Sequence, residues 1–278
     1  MRLPDWLDPL YDSEEMRACD AWATRERGVP SLDLMERAGN GLARVVAARA
    51  GPAPIRMVIG KGNNGGDGLV AVRHLRAEGR EVELLAIAPP GELQGDPAEN
   101  LARLPGERPR QFAPDALTGS GAVVDALLGT GFEGAPREPA ACAIRAMREL
   151  EGIVIACDVP SGVNAATGEI EGEAVRAQAT ATFHGPKIGL HVAPGAFHSG
   201  TVETIDIGIP RGAPGPEAAG LITARALAGV PHREREGSKF TSGVVLVAGG
   251  AAGMTGAPAM AALSAQRAGA GYVQLAVP

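Results

Sequence analysis

Apolar residues along this chain keep two rhythms. Near the N-terminus they recur at helical spacing. Asp12 or Ser13 can cap one helix running to about Arg27, and Ser31 can cap a second through Arg49 that gathers Leu32, Met35, Leu42, Val45 and Val46 on one face. From Ile55 onward the rhythm becomes a short apolar run, a glycine-rich turn, a helix, then another apolar run. Ile55–Ile59, Val82–Ile87, Val123–Leu128, Ile153–Cys157, Thr180–Phe183 and Val202–Ile207 read as strands, and Asp67–Glu78 and Pro139–Leu150 as helices. Strands that are apolar throughout, not alternating, are buried on both faces. The pattern therefore implies an α/β fold, a Rossmann-like three-layer αβα domain built on a mostly parallel sheet.

That domain is expected to span residues 1–210. The stretch Ile209–Gly220, IPRGAPGPEAAG, has the composition of a linker, which is assigned to residues 211–236. Beyond it, a strand at Val244–Ala248, a helix near Gly256–Ala268 and a strand at Tyr272–Val277 open a second α/β domain over residues 237–278. Roughly 40 residues of β-α-β bury too little apolar surface for a core of their own. They are expected either to pack on the first domain or to begin a larger one.

Composition narrows the functional classes. The chain has 278 residues and 45% hydrophobic content, enough for a real core, and its 39 glycines and 22 prolines fall in discrete turns. A net charge of −6 with no basic stripe argues against nucleic acid as the main partner, because phosphate backbones need a basic patch. The apolar runs are strand-length, so no membrane span is expected, and Met1–Leu10 lacks the apolar core of a secretory signal. Cytoplasm is the expected compartment. Cys19, Cys142 and Cys157 are far apart and form no C-x-x-C, so they read as small buried hydrophobes.

The sharpest chemical signal is Gly60-Lys61-Gly62-Asn63-Asn64-Gly65-Gly66-Asp67-Gly68, directly between a strand and a helix. Glycines allow the backbone close to a phosphate, and a helix N-terminus offers it free N–H groups. A plain turn with Asp67 as N-cap is the simpler reading, but a plain turn does not need two asparagines and an acid. A dinucleotide dehydrogenase would carry an acid near the end of the second strand to hold the ribose; Ala86-Ile87-Ala88-Pro89-Pro90 stands there instead. Asp125, inside an apolar strand, is costly to bury unless paired or ligated, and a second glycine-rich turn, Gly129-Thr130-Gly131, follows it. Asp158 and Ser161 come where the strand Ile153–Cys157 ends. Asn64, Asp125, Asp158 and Ser161 thus fall at the carboxyl ends of three strands, where open parallel sheets bind ligands. Lys187, after a further strand, reads equally as a phosphate-facing lysine and as a solvated loop residue.

These motifs together resemble the NAD(P)H-hydrate epimerases: Asn63-Asn64-Gly65-Gly66-Asp67-Gly68, Asp125 with Gly129-Thr130-Gly131, Asp158-Val159-Pro160-Ser161-Gly162, and Leu34-Met35-Glu36-Arg37-Ala38-Gly39. The resemblance covers about Ser13 to Pro210. One departure is Ala166, where the family usually carries an aspartate. The resemblance implies an isomerase that interconverts the R and S forms of hydrated NADH or NADPH at carbon 6 of the nicotinamide ring. It implies Asp158 as the catalytic group, and Asn63, Asn64, Gly65, Gly66, Asp67, Lys187 and the turn Gly129, Thr130, Gly131, Phe132, Glu133, Gly134 and Ala135 around the substrate. It further implies potassium held by Asn64, Asp125 and Ser161, with a homo-oligomer as the expected assembly. The tail, Gly249-Gly250…Met254-Thr255-Gly256-Ala257-Pro258…Arg267-Ala268-Gly269-Ala270-Gly271, is similar to the start of the ADP-dependent NAD(P)H-hydrate dehydratase, a ribokinase-like domain. Ala257 belongs to that site, which takes ADP or ATP. The dehydratase's later Gly-Thr-Gly-Asp-type motif is absent from this sequence, so dehydratase activity is not expected of this chain by itself. Two other readings stand beside the epimerase: a Rossmann oxidoreductase, and a non-catalytic nucleotide-binding protein on the same fold.

Overall fold

The computed structural model describes residues 3–278 except 5, 107, 217–218 and 233–234. In chain order the strands are β1 (Leu7–Leu10), β2 (Ile55–Ile59), β3 (Val82–Ala86), β4 (Arg110–Gln111), β5 (Ala122–Ala126), β6 (Ile153–Cys157), β7 (Ala179–Phe183), β8 (Thr201–Ile205), β9 (Ala219–Ile222), β10 (Val244–Ala248) and β11 (Tyr272–Ala276). The helices are α1 (Ser13–Arg25), α2 (Ser31–Arg49), α3 (Asn63–Ala77), α4 (Gly95–Ala102), α5 (Ala140–Arg148) and α6 (Gly256–Ala268). They form two compact units, Met1–Thr223 and Ala224–Pro278.

The first unit is built on a seven-stranded sheet in the order β4-β3-β2-β5-β6-β7-β8, with every pair parallel. Successive residues of each strand feed opposite layers. Met57, Val124 and Ile155 join Leu42 and Leu75 of α2 and α3 on one side, while Val58, Val123 and Val154 join Ile144 and Met147 of α5 on the other. The strand order reverses between β2 and β5, the switch point where doubly wound sheets open a crevice.

The largest departure from the sequence expectation lies in α3. It begins at Asn63, four residues before Asp67, with Gly62 in extended conformation as its N-cap. Asn63 to Gly66, which read as loop by composition, are the first helical turn, and Asp67 is a helix residue. Asp12 does cap α1. Its Oδ1 accepts the N–H groups of Glu14 and Glu15, both at 2.8 Å, and Glu15 returns a bond to the Asp12 N–H. Cys142 is half-buried, whereas Cys19 and Cys157 are buried, and all three are free thiols.

Residues 219–222, expected within the linker, form β9, which pairs antiparallel with β1. The expected linker residues 217, 218, 233 and 234 lie outside the described residues. In the second unit, β10 and β11 pair in parallel under α6, and Gly269 ends that helix in the left-handed conformation. Its sheet leaves Val244, Leu246 and Leu275 exposed. Among the described residues no helix is long and apolar enough to cross a membrane.

Candidate functional site

A cavity of about 1440 Å³ opens at the carboxyl ends of the central strands of the first unit. Its walls are α1 (Met16, Asp20), α2 (Leu34, Met35), the first turn of α3 (Asn63, Asn64, Asp67) and the chain after β5 from Leu127 to Ala135. Asp158 and Lys187, at the ends of β6 and β7, complete the floor.

The start of α3 owes its position to missing side chains. A Cβ on Gly60 would come 2.1 Å from the carbonyl oxygen of Leu127, and one on Gly65 would come 2.1 Å from that of Gly60. Only glycine allows the helix to begin this close to the strand end and still turn its unpaired N–H groups toward the opening. Gly65 and Gly66 are therefore packing residues and do not line the cavity. Gly66 lies against Met35, whose sulfur would be 2.7 Å from an added Cβ.

Asp158 is the most heavily bonded side chain in the site. Its Oδ2 accepts the Thr130 hydroxyl at 2.8 Å and the Thr130 N–H at 3.3 Å. Its Oδ1 accepts Lys187 Nζ at 2.6 Å, the Thr182 hydroxyl at 3.3 Å and the Phe183 N–H at 3.4 Å. The backbone holds it there at φ 64°, a left-handed conformation that costs a residue with a Cβ about 1–3 kcal/mol. Burial would raise the Asp158 pKa, but the Lys187 charge and these donors outweigh it and hold the carboxyl below the usual range. Asp158 is thus a buried carboxylate.

Lys187 is neither a solvated loop lysine nor free for a phosphate. It is 1% exposed, and besides Asp158 it bonds Thr182 Oγ1 at 2.9 Å and the Phe183 carbonyl at 2.8 Å, which uses its three hydrogens. The chain near the N-terminus fixes it: Tyr11 bridges to Lys187, accepting from Ile188 N–H and donating to the Pro186 carbonyl.

Beneath the floor, Asp125 sits fully buried in β5 between Val58 and Ala156. It accepts the Ser161 hydroxyl at 2.6 Å, the Ser161 N–H at 2.8 Å and the Leu127 N–H at 3.2 Å. Burial, partly offset by these bonds, pushes its pKa up to about 6. Asn64 donates to the Leu128 carbonyl at 3.0 Å, and its buried Oδ1 has no hydrogen-bond partner among the described residues. Asn64 and Ser161 meet at Leu128, whose N–H bonds the Ser161 hydroxyl at 3.0 Å, and Asp125 joins them through Ser161. Asn63, Asn64, Asp67, Asp158, Lys187 and Gly129 to Ala135 all border one cavity. Ala257 belongs to the second unit, exposed in the first turn of α6.

Thr182 and Asp20 are site residues that sequence reasoning passes over. Thr182 carried a signal, since a hydroxyl in a strand buried at all five positions needs a partner. Asp20 carried none: on the polar face of α1 it reads as solvated surface.

Residues 31–189, more than half of the chain, match the family model described as YjeF-related protein N-terminus. The chain is 39% identical over 301 residues to the bifunctional NAD(P)H-hydrate repair enzyme Nnr of Salinibacter ruber, covering 97% of this chain and 55% of that protein. To the Nnr enzyme of Moorella thermoacetica it is 39% identical over 286 residues, with 97% and 54% covered. The chain thus spans about half the length of these curated relatives. It is 38% identical over 209 residues to the NAD(P)H-hydrate epimerase of Rhodopirellula baltica, covering 73% of this chain and 85% of that protein. A crystal structure of a yeast protein shares the fold, with a TM-score of 0.57 at 21% identity over 66% of this chain and 83% of that one. Its motifs, its cavity and these relatives together make this chain a member of the NAD(P)H-hydrate epimerase family.

Proposed function

We propose that the first unit interconverts the R and S epimers of hydrated NADH and NADPH at carbon 6 of the nicotinamide ring. The observation that carries this reading is the buried Asp158 carboxylate, fixed by Lys187 and Thr130 on the floor of a cavity large enough for a dinucleotide. As the hydroxyl leaves carbon 6, positive charge develops on the ring. A carboxylate held in place before the reaction steadies that charge without reorganising. The unpaired N–H groups at the start of α3 suit the pyrophosphate, and the turn from Gly129 to Ala135 suits the ribose.

Asn64, Asp125 and Ser161 offer the oxygen set a potassium ion takes: an amide carbonyl, a carboxylate and a hydroxyl. The unpartnered Asn64 Oδ1 supports this, because a buried acceptor without a donor is otherwise a cost. When bound, the ion would supply a fixed positive charge under the phosphate-binding turn. A Rossmann oxidoreductase is the weaker reading, since the cavity residues at the very end of β3 are Ile87, Ala88 and Pro89, with no acid at the strand end to hold a ribose, and Glu92 beyond them pairs with Lys61.

Incubating the protein with mixed hydrated NADPH epimers and separating them by chromatography tests the reading. Starting from either purified epimer, interconversion above the uncatalysed rate is expected. Binding without interconversion, or oxidation of intact NADPH, would replace it with one of the alternatives.

A further inference from the structure

Two buried carboxyls that border the cavity, Asp158 and Asp67, differ in how well they are satisfied. Asp158 receives five hydrogen bonds or ion-pair contacts. Asp67, on the first turns of α3, is 8% exposed, borders the cavity, and receives no hydrogen bond and no ion pair from any described residue. A lone carboxylate buried this deeply is costly, so the group is held neutral until a ligand meets it.

We propose that Asp67 is the general acid of the epimerisation, delivering a proton to the carbon 6 hydroxyl while Asp158 steadies the cation. The inference rests on the epimerase reading and assigns a role within it. The step balances as follows. The Asp67 O–H bond breaks and its proton goes to the hydroxyl oxygen. The C6–O bond breaks and its electron pair leaves with water. The ring nitrogen lone pair forms a C=N bond to carbon 6. Water then adds to the opposite face, the C=N pair returns to nitrogen, and the proton released passes through cavity water back to the Asp67 carboxylate. Nothing is oxidised or reduced, and the acid is regenerated.

The surroundings suit the role. Burial, then the charges of Asp158 and of Asp20 on α1, push the Asp67 pKa well above the usual carboxylate range, against the opposing charge of Lys187. The Cys157 thiol also feels the Asp67 charge, and burial pushes its own pKa up. A pair of carboxyls whose environments drive their pKa values apart is the arrangement that divides acid from base.

The test follows epimer interconversion and incorporation of ¹⁸O at carbon 6 in H₂¹⁸O, both above the uncatalysed rate. If the wild-type protein does neither, the epimerase reading itself falls. If it does both, Asp67→Asn is expected to lose both by about 100-fold or more at saturating substrate, while titration calorimetry finds NADP⁺ binding retained. Asp67→Glu should recover part of the rate. A variant that works at the wild-type rate when saturated, or loses only affinity, overturns the proposal and leaves Asp67 a binding residue. Infrared spectroscopy of ¹³C-aspartate-labelled wild type gives a check that needs no variant to fold: a protonated carboxyl band is expected near neutral pH, and its absence overturns the proposal.

Discussion

Replacing Lys187 with methionine keeps the length of the side chain and removes its charge. The ammonium is buried and gives all its hydrogens to Asp158, Thr182 and Phe183. The other donors to Asp158 are two threonine hydroxyls and two backbone N–H groups, all uncharged. Lys187→Met therefore leaves a buried carboxylate without its counter-ion, at a cost of about 3–5 kcal/mol. In a domain of this size that lowers the Tm by on the order of 10 °C. The pH dependence has a definite sign. In the wild type the Asp158 pKa lies below its usual value, so its pairing contributes stability above the unfolded pKa of about 3.9 and loses it as pH falls. In the variant burial is no longer opposed by the lysine, so the penalty is full at neutral pH and shrinks as acid neutralises the carboxylate. The gap between the two proteins should thus be widest near pH 7 and narrow toward about pH 4. Urea unfolding followed by circular dichroism across that range measures it, with the same pair repeated on an Asp158→Asn background, where the lysine should matter less. A gap that stays constant with pH, or is equally large on the Asp158→Asn background, would refute the coupling.

Asp158→Asn leaves the buried Lys187 ammonium without its counter-ion, so a stability loss of about 3–5 kcal/mol is expected, together with a loss of epimerisation by about 100-fold or more in the protein that remains folded; near-normal turnover in the chromatographic assay would remove it from the chemistry. For Asp125→Ala, the expectation is weaker dependence of activity on potassium together with weaker substrate binding, read by titrating the cation against rate in both proteins. An unchanged potassium curve would place the ion elsewhere. Gly65→Ala puts a Cβ against the Gly60 carbonyl, so α3 must shift. A loss of about 1–3 kcal/mol in stability is expected, with weaker NADP⁺ binding in calorimetry, and a neutral result would mean the helix start has room the geometry denies.

The sheet was legible because its strands are apolar at nearly every position, and that signal survives without tertiary knowledge. Four elements escaped, β1, α4, β4 and β9. β4 is two residues long, too short for any period to register, and β9 is Ala-Gly-Leu-Ile inside a proline- and glycine-rich stretch, held by its partner β1 more than by its own preference. The start of α3 was misplaced because glycine and asparagine favour loops by propensity. Here close contact with Gly60 demands glycine inside the helix, and packing overrides propensity. In the site, Asn64, Asp125, Asp158 and Ser161 were visible as polar side chains at strand ends. What the sequence could not give is how they pair: Lys187 lies 29 residues beyond Asp158, and only the fold turns it from a loop cation into a counter-ion.

The short ladder between β1 and β9 sets Leu7 opposite Ile222 and Leu10 opposite Ala219. The places where the chain enters and leaves the first unit are thus neighbours, separated by about one strand spacing, near 5 Å. A domain with adjoining ends is portable. It can be grafted into a loop of another protein, or carry a neighbour on either side, and the joining segments need not stretch across it, so the closure entropy of such a graft is small. Gene fusion could therefore couple this domain to different companions without re-threading the sheet on which its chemistry stands.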